Sequence, residues 1–252
     1  MPYDRDAIAS RLTRYYDLLV RMAYLDPAVI QRPPPQGWSD DKLAVDILRV
    51  MNRSDKAIDL LRHLPYVRQD LRDEKWEIYP ETQPISYLRD GRLLRGKTAE
   101  SCAGKDLHYL NMMPFNVEYP TGMISLTFGR DATFWVIDMD AGQIFPVGLY
   151  VVDDTAPESQ PWRRNAKAVD ILEYFDGVYS DLLNLKLVPA PRSGYWAPRV
   201  VSGEQPPEGT LVSRLLKEHG WPDNFKRAEY LEAVQNLRQE AIDESLNALR
   251  RS

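Results

Sequence analysis

The segment GMISLTF-GRDA-TFWVIDM-DAGQ-IFPVGLYVV, residues 122–152, constrains the fold more than any other stretch. Its three runs are rich in β-branched and aromatic residues, and the breaks between them carry Gly and Asp, which favour turns. Connections this short join antiparallel neighbours, because a parallel crossover needs about a dozen residues or more. The segment therefore predicts a three-stranded antiparallel meander. In TFWVIDM, alternation puts Phe134, Val136 and Asp138 on one face. Thr133, Trp135, Ile137 and Met139 take the other, which reads as the core face.

Helical spacing frames that sheet. From Asp4 to Tyr24, the residues Ile8, Leu12, Tyr15, Leu19 and Met22 recur at three- and four-residue steps, as on one amphipathic face. Asp26-Pro27 opens a short turn, and PPPQGW, residues 33–38, follows as a stiff connector, since proline supplies no backbone donor. Ser39 is placed to cap a helix carrying Leu43, Val45, Ile47, Leu48 and Met51. Ser54 is placed to cap a second one, carrying Ile58, Leu60, Leu61 and Leu64, which Pro65 stops. WEIY and PISYL predict strands, and Asp90-Gly91 a hairpin-type turn. After a polar loop at 153–166, Ala168 to Leu185 is again amphipathic through Ile171, Leu172, Phe175, Val178, Tyr179 and Leu182. LVPAPRSGYWAPRVVSGEQPPEGT is a long Pro/Gly loop, a candidate lid, and two closing helices follow, LVSRLLKEH and residues 224–250. Together these predict an α+β fold: an antiparallel β-meander sheet packed against several helices, with helical N- and C-terminal extensions. We expect one domain over 1–252, divided into a helical arm and Pro-rich connector (1–38), a core (39–185), and a loop with C-terminal helices (186–252).

The bulk properties narrow the partners. A net charge of -5 and a pI near 5.4 disfavour nucleic acid, whose backbone calls for a basic surface. The single cysteine, Cys102, excludes an internal disulfide and a Cys-rich zinc site, and points to a reducing compartment. The first residues carry acids and arginines where a signal peptide has an apolar core. No run approaches the roughly 20 apolar residues of a membrane helix. The expectation is a cytoplasmic protein without membrane insertion.

Candidate chemistry is sparse. His63, in Arg62-His63-Leu64-Pro65-Tyr66, falls in the last turn of a helix, where the dipole favours a cation. Its pKa near neutrality also makes it a candidate acid or base, with Tyr66 beside it. His108 and Tyr109 lie in DLHYLNMMPF, where Met112 and Met113 suit an apolar ligand or ordinary core packing. Arg62, Trp76, Trp135, Tyr195 and Trp196 complete a candidate ligand surface of aromatics with a cation nearby. His219 precedes Gly-Trp-Pro and reads as a helix end. The three histidines have no metal-ligand spacing, and Asp138 with Asp140 reads as a turn rather than an ion site, so no metal is expected. Cys102 has Lys105 nearby but no catalytic partner in sequence, and neither GxSxG, a Walker motif nor GxGxxG is present. No cofactor is expected.

The order of elements resembles the SUKH superfamily, the fold of fungal cell-wall-synthesis regulators and bacterial toxin-immunity proteins. Helices ending in Leu64-Pro65, the meander with its Asp-rich turn FWVIDMDAGQIF, and the helix AVDILEYFDGVYSDLL carry the likeness, over residues 39–185. Gly37-Trp38, LRHLPY (61–66) and Gly220-Trp221-Pro222 are similar to motifs of a group of fungal proteins. The resemblance implies a soluble intracellular binding module with a protein partner, and it carries over no catalytic residue. Its surface would be the exposed face of the sheet with the loops 153–166 and 189–209. A second reading is a cofactor-free cyclase or isomerase, of pericyclase type, acting on an apolar small molecule in fungal secondary metabolism. A shaped pocket can lower a barrier by proximity alone, with His63, Tyr66, Tyr109 or Arg62 polarising a carbonyl.

Overall fold

A computed structural model describes residues 3–69, 75–103, 118–148, 157–158, 160, 167–190, 199–206 and 208–236. Helix α1 (Arg5–Arg21) starts where the Asp4 side chain accepts the Ala7 N–H, and it buries Ile8, Leu12, Tyr15 and Leu19 as their spacing requires. Asp26 caps a 3-10 turn (Pro27–Val29), and β1 (Ile30–Gln31) follows. Helix α2 (Val45–Val50) is shorter than its apolar spacing suggests, and Ser39 does not cap it. Leu43 is drawn instead into a β-bridge with Leu88, and the Ala44 N–H donates to the Tyr87 carbonyl. That tertiary pairing unwinds the first predicted turn. Helix α3 (Asp55–His63) is capped by Ser54 as expected and ends at Leu64, whose ψ of 145° is already extended before Pro65.

The middle of the chain departs further from expectation. β2 (Tyr66–Val67) pairs with β1, while WEIY and PISYL leave only β3 (Gln83–Pro84) as a strand. Asp90-Gly91 opens a series of turns rather than a hairpin, leading to the short helix α4 (Ala99–Cys102). The meander itself forms. β4 (Met123–Ser125), β6 (Thr133–Asp138) and β7 (Gln143–Gly148) are antiparallel neighbours, and β8 (Val169–Asp170) extends the order to β4-β6-β7-β8. β5 (Thr127–Phe128) leaves this sheet to pair with β3. At that corner the Thr127 hydroxyl takes the place of a ladder group: it accepts the Trp135 N–H at 2.7 Å and donates to the Thr133 carbonyl at 3.0 Å.

Neither face of β6 is solvated. Phe134, Trp135, Val136 and Ile137 are all 0% exposed, so the sheet face assigned to partner binding is core. The reason is legible in the run itself, since four consecutive large apolar residues mark a strand covered on both sides. On one side, α1 and α5 (Ile171–Leu183) press Tyr15 and Phe175 edge-on against Trp135 at ring-centroid distances of 5.8 Å and 5.6 Å. The outer edge of β4 is closed as well. Its outward carbonyls, Met123 and Ser125, accept from the Arg53 guanidinium and the Tyr87 hydroxyl.

The segment expected to be one long loop contains a hairpin: β9 (Leu187–Ala190) pairs antiparallel with β10 (Arg199–Ser202). Pro189 hid β9 from a propensity reading, and it is tolerated because its missing N–H falls on an edge. Helix α6 (Glu208–Glu218) packs on this hairpin, and α7 begins at 227 and is helical through 236. The chain is thus α+β, an antiparallel meander packed against several helices, with helices towards both termini.

Candidate functional site

The residues singled out around His63 do come together, at the C-terminus of α3. The last turn of a helix leaves carbonyls without intrahelical partners, and here one backbone amide and neighbouring side chains satisfy them. The Trp38 N–H donates to the Arg62 carbonyl at 2.8 Å, and the Trp38 indole N–H to the Leu64 carbonyl at 3.0 Å. The Tyr66 hydroxyl donates to the Leu61 carbonyl at 2.6 Å. Arg62 closes the clasp from the other side, donating to the Trp38 carbonyl at 2.5 Å and to Asp40 at 2.6 Å. The Trp38 and Tyr66 rings lie 6.3 Å apart. The spacing Gly-Trp…Arg-His-Leu-Pro-Tyr therefore folds into a device that ties the proline connector to the end of α3.

His63 is part of this device. Its Nδ1 lies 2.8 Å from the Asp59 carbonyl, which can only accept, so Nδ1 carries the proton. Its Nε2 packs against Gly37, where an added Cβ would sit 3.0 Å from Nε2 and 2.7 Å from Arg62 Cγ. Gly37 also has φ +81°, a conformation other residues rarely adopt. With its side chain 18% exposed, the ring has one nitrogen bonded and the other against backbone. Burial pushes the Tyr66 phenol well above its usual pKa, which fits a structural donor.

Trp76 and Trp135 are placed elsewhere. Trp76 stacks edge-on to Tyr24 at 5.5 Å and lines an open cleft of about 330 Å³ together with Pro27 and Arg227. Its indole N–H is buried without a hydrogen-bond partner. Trp135 lies at the centre of Tyr15, Tyr79, Tyr174 and Phe175. Its indole N–H is close enough to the Tyr174 hydroxyl to oppose the upward push of burial on that phenol, yet neither group meets hydrogen-bond geometry. Trp135 is fully enclosed within the hydrophobic core. His108, Tyr109, Met112, Met113, Tyr195 and Trp196 lie outside the described residues.

Two polar residues went unrecognised in the sequence. The Arg53 side chain is 0% exposed, and its guanidinium donates to the carbonyls of Met51, Tyr119, Pro120 and Met123, with Glu118 at 3.7 Å. It fixes the entry to the meander, and burial pushes its pKa down. Nothing in MNRSD distinguishes Arg53 from a surface arginine. Glu77 accepts the Val200 N–H at 3.2 Å, and burial raises its pKa to about 7. The signal here was a carboxylate inside the aromatic run WEIY.

Asp138 and Asp140 form the expected turn: Asp138 Oδ1 accepts the N–H groups of Asp140 and Ala141, each at 3.0 Å. Among the described residues, no three His, Cys, Asp or Glu side chains gather as a metal site. No helix there is long and apolar enough to cross a membrane. An open groove of about 420 Å³ runs along α6, lined by Gly203, Thr210, Arg214 and Lys217. No family model, no curated protein and no solved structure matches this chain.

Proposed function

We propose that the chain is a cytoplasmic SUKH-like binding module that holds a protein partner. The observation that supports this is the state of His63, the side chain best suited to acid–base work. Its Nδ1 is bonded to the Asp59 carbonyl and its Nε2 abuts Gly37, contacts that favour a part in the fold over a part in catalysis. With both faces of β6 buried, the proposed recognition surface moves to the segments 153–166 and 189–209, the second of which carries the paired strand β10.

The test is affinity capture with the intact protein under cross-linking, followed by reconstitution of the captured complex from purified components. A one-to-one protein complex that survives His63→Gln supports the reading. Native mass spectrometry after exposure to a metabolite extract is the counter-test. A defined apolar molecule bound one-to-one, and lost in His108→Ala, would replace the binding module with the cyclase or isomerase reading.

A further inference from the structure

We propose that Glu77 is a proton-controlled tie that fastens the β9–β10 hairpin to the end of helix α1. The geometry starts with Pro189. In the β9–β10 ladder Pro189 faces Val200 and has no N–H to exchange, so the polar backbone of Val200 points away from β9. Such an outward N–H must be satisfied or solvated. The Glu77 carboxylate meets it at 3.2 Å, standing where a third strand would lie. On its other side, the backbone carbonyl of Glu77 accepts the Tyr24 hydroxyl at 3.0 Å. Glu77 thus links the turn after α1, 53 positions before it, to a hairpin strand 123 positions after it.

The charged groups around the tie oppose one another. Glu81 repels a second negative charge, whereas the Val200 N–H of the tie itself, the Glu81 N–H and Arg199 on β10 all favour one. Arg199 is itself engaged by Glu208 of α6. Burial tips the balance towards the neutral acid, which sets the Glu77 pKa near 7 against an ordinary value of 4.5. A carboxyl that is neutral when docked and ionises more readily when released favours docking most below its ordinary pKa. It loses that contribution as pH rises through the docked value. The hairpin is therefore held tightest below the ordinary value of 4.5 and loosens as pH rises to about 7.

Two measurements on the full chain test this. The carboxyl carbon of Glu77 is titrated by NMR, and amide exchange at Val200 and Val201, corrected for intrinsic rates, is followed from about pH 5 to about pH 8. The expected result is a midpoint near 7, with protection falling roughly tenfold or more in the wild type and staying level in Glu77→Gln. A midpoint near the ordinary glutamate value overturns the proposal. So does an equal slope in both proteins. Should Glu77→Gln fail to fold, the wild-type titration alone decides.

Discussion

At the scale of single residues, Gly37 separates local strain from a specific contact. Gly37 and Gly96 both have positive φ, +81° and +74°, but only Gly37 has neighbours that a Cβ would strike. Both alanine variants carry the backbone strain of a left-handed residue, on the order of 1–2 kcal/mol. Gly37→Ala should cost at least about 1 kcal/mol more than Gly96→Ala in urea unfolding, because Arg62 and His63 must also move. Arg53→Met should be more damaging, at about 3 kcal/mol or more, since it strands three buried carbonyls and a part-buried one in place of one satisfied cation. His63→Gln should cost only about 1 kcal/mol, the worth of one hydrogen bond, and leave partner capture intact. None of these roles was visible residue by residue. A histidine in a last helical turn has the same local sequence whether its ring faces a pocket or a glycine, and Gly37 is brought to it by the connector.

At the scale of elements, the two Gly-Trp pairs follow one logic. His219 Nδ1 donates to the Leu215 carbonyl at 2.7 Å, as His63 does to Asp59. Gly220 takes φ +83°, and α6 closes with the Gly220 and Trp221 N–H groups on the Lys217 and Leu216 carbonyls, a Schellman ending. The Trp221 indole N–H then reaches the Leu183 carbonyl at the end of α5 at 2.9 Å, as Trp38 reaches Leu64. Each indole thereby fixes a helix terminus to a distant segment. Trp38→Phe and Trp221→Phe should each cost about 1 kcal/mol in thermal or urea unfolding. The double variant should show the sum, because the two bonds share no partner. Long elements were legible because many residues vote on one period. The two-residue strands β1, β2 and β3 were not, since pairing across the fold creates them and their own sequence does not.

At the scale of the whole molecule, buried ionisable groups make stability depend on pH in two windows. Glu77 is raised from 4.5 to about 7, so its contribution is full below the unfolded value and is lost as pH climbs through the folded one. Urea midpoints should decline over that window and flatten in Glu77→Gln. The second window is alkaline. Tyr15, Tyr24, Tyr66 and Tyr87 are buried, and desolvation lifts each well above the usual 10.0. Their stabilisation persists below that value and disappears above it, because the unfolded chain releases those protons first. The phenolate absorbance of these four should therefore appear together with loss of tertiary structure. A stepwise titration with the fold intact would contradict this picture.

The sequence by itself determined the α+β class, the antiparallel meander, the buried faces of α1 and α3, and the helix stop at Pro65. These rest on short-range sterics, turn chemistry and periodicity, which need only a few neighbouring residues. Tertiary structure decided that both faces of β6 are covered, that 187–190 pairs with 199–202, and that His63 meets the Asp59 carbonyl and Gly37. It also decided that Glu77 meets Val200, 123 positions away. Burial, hydrogen-bond satisfaction and pKa depend on which distant segments meet, and no local window contains that information.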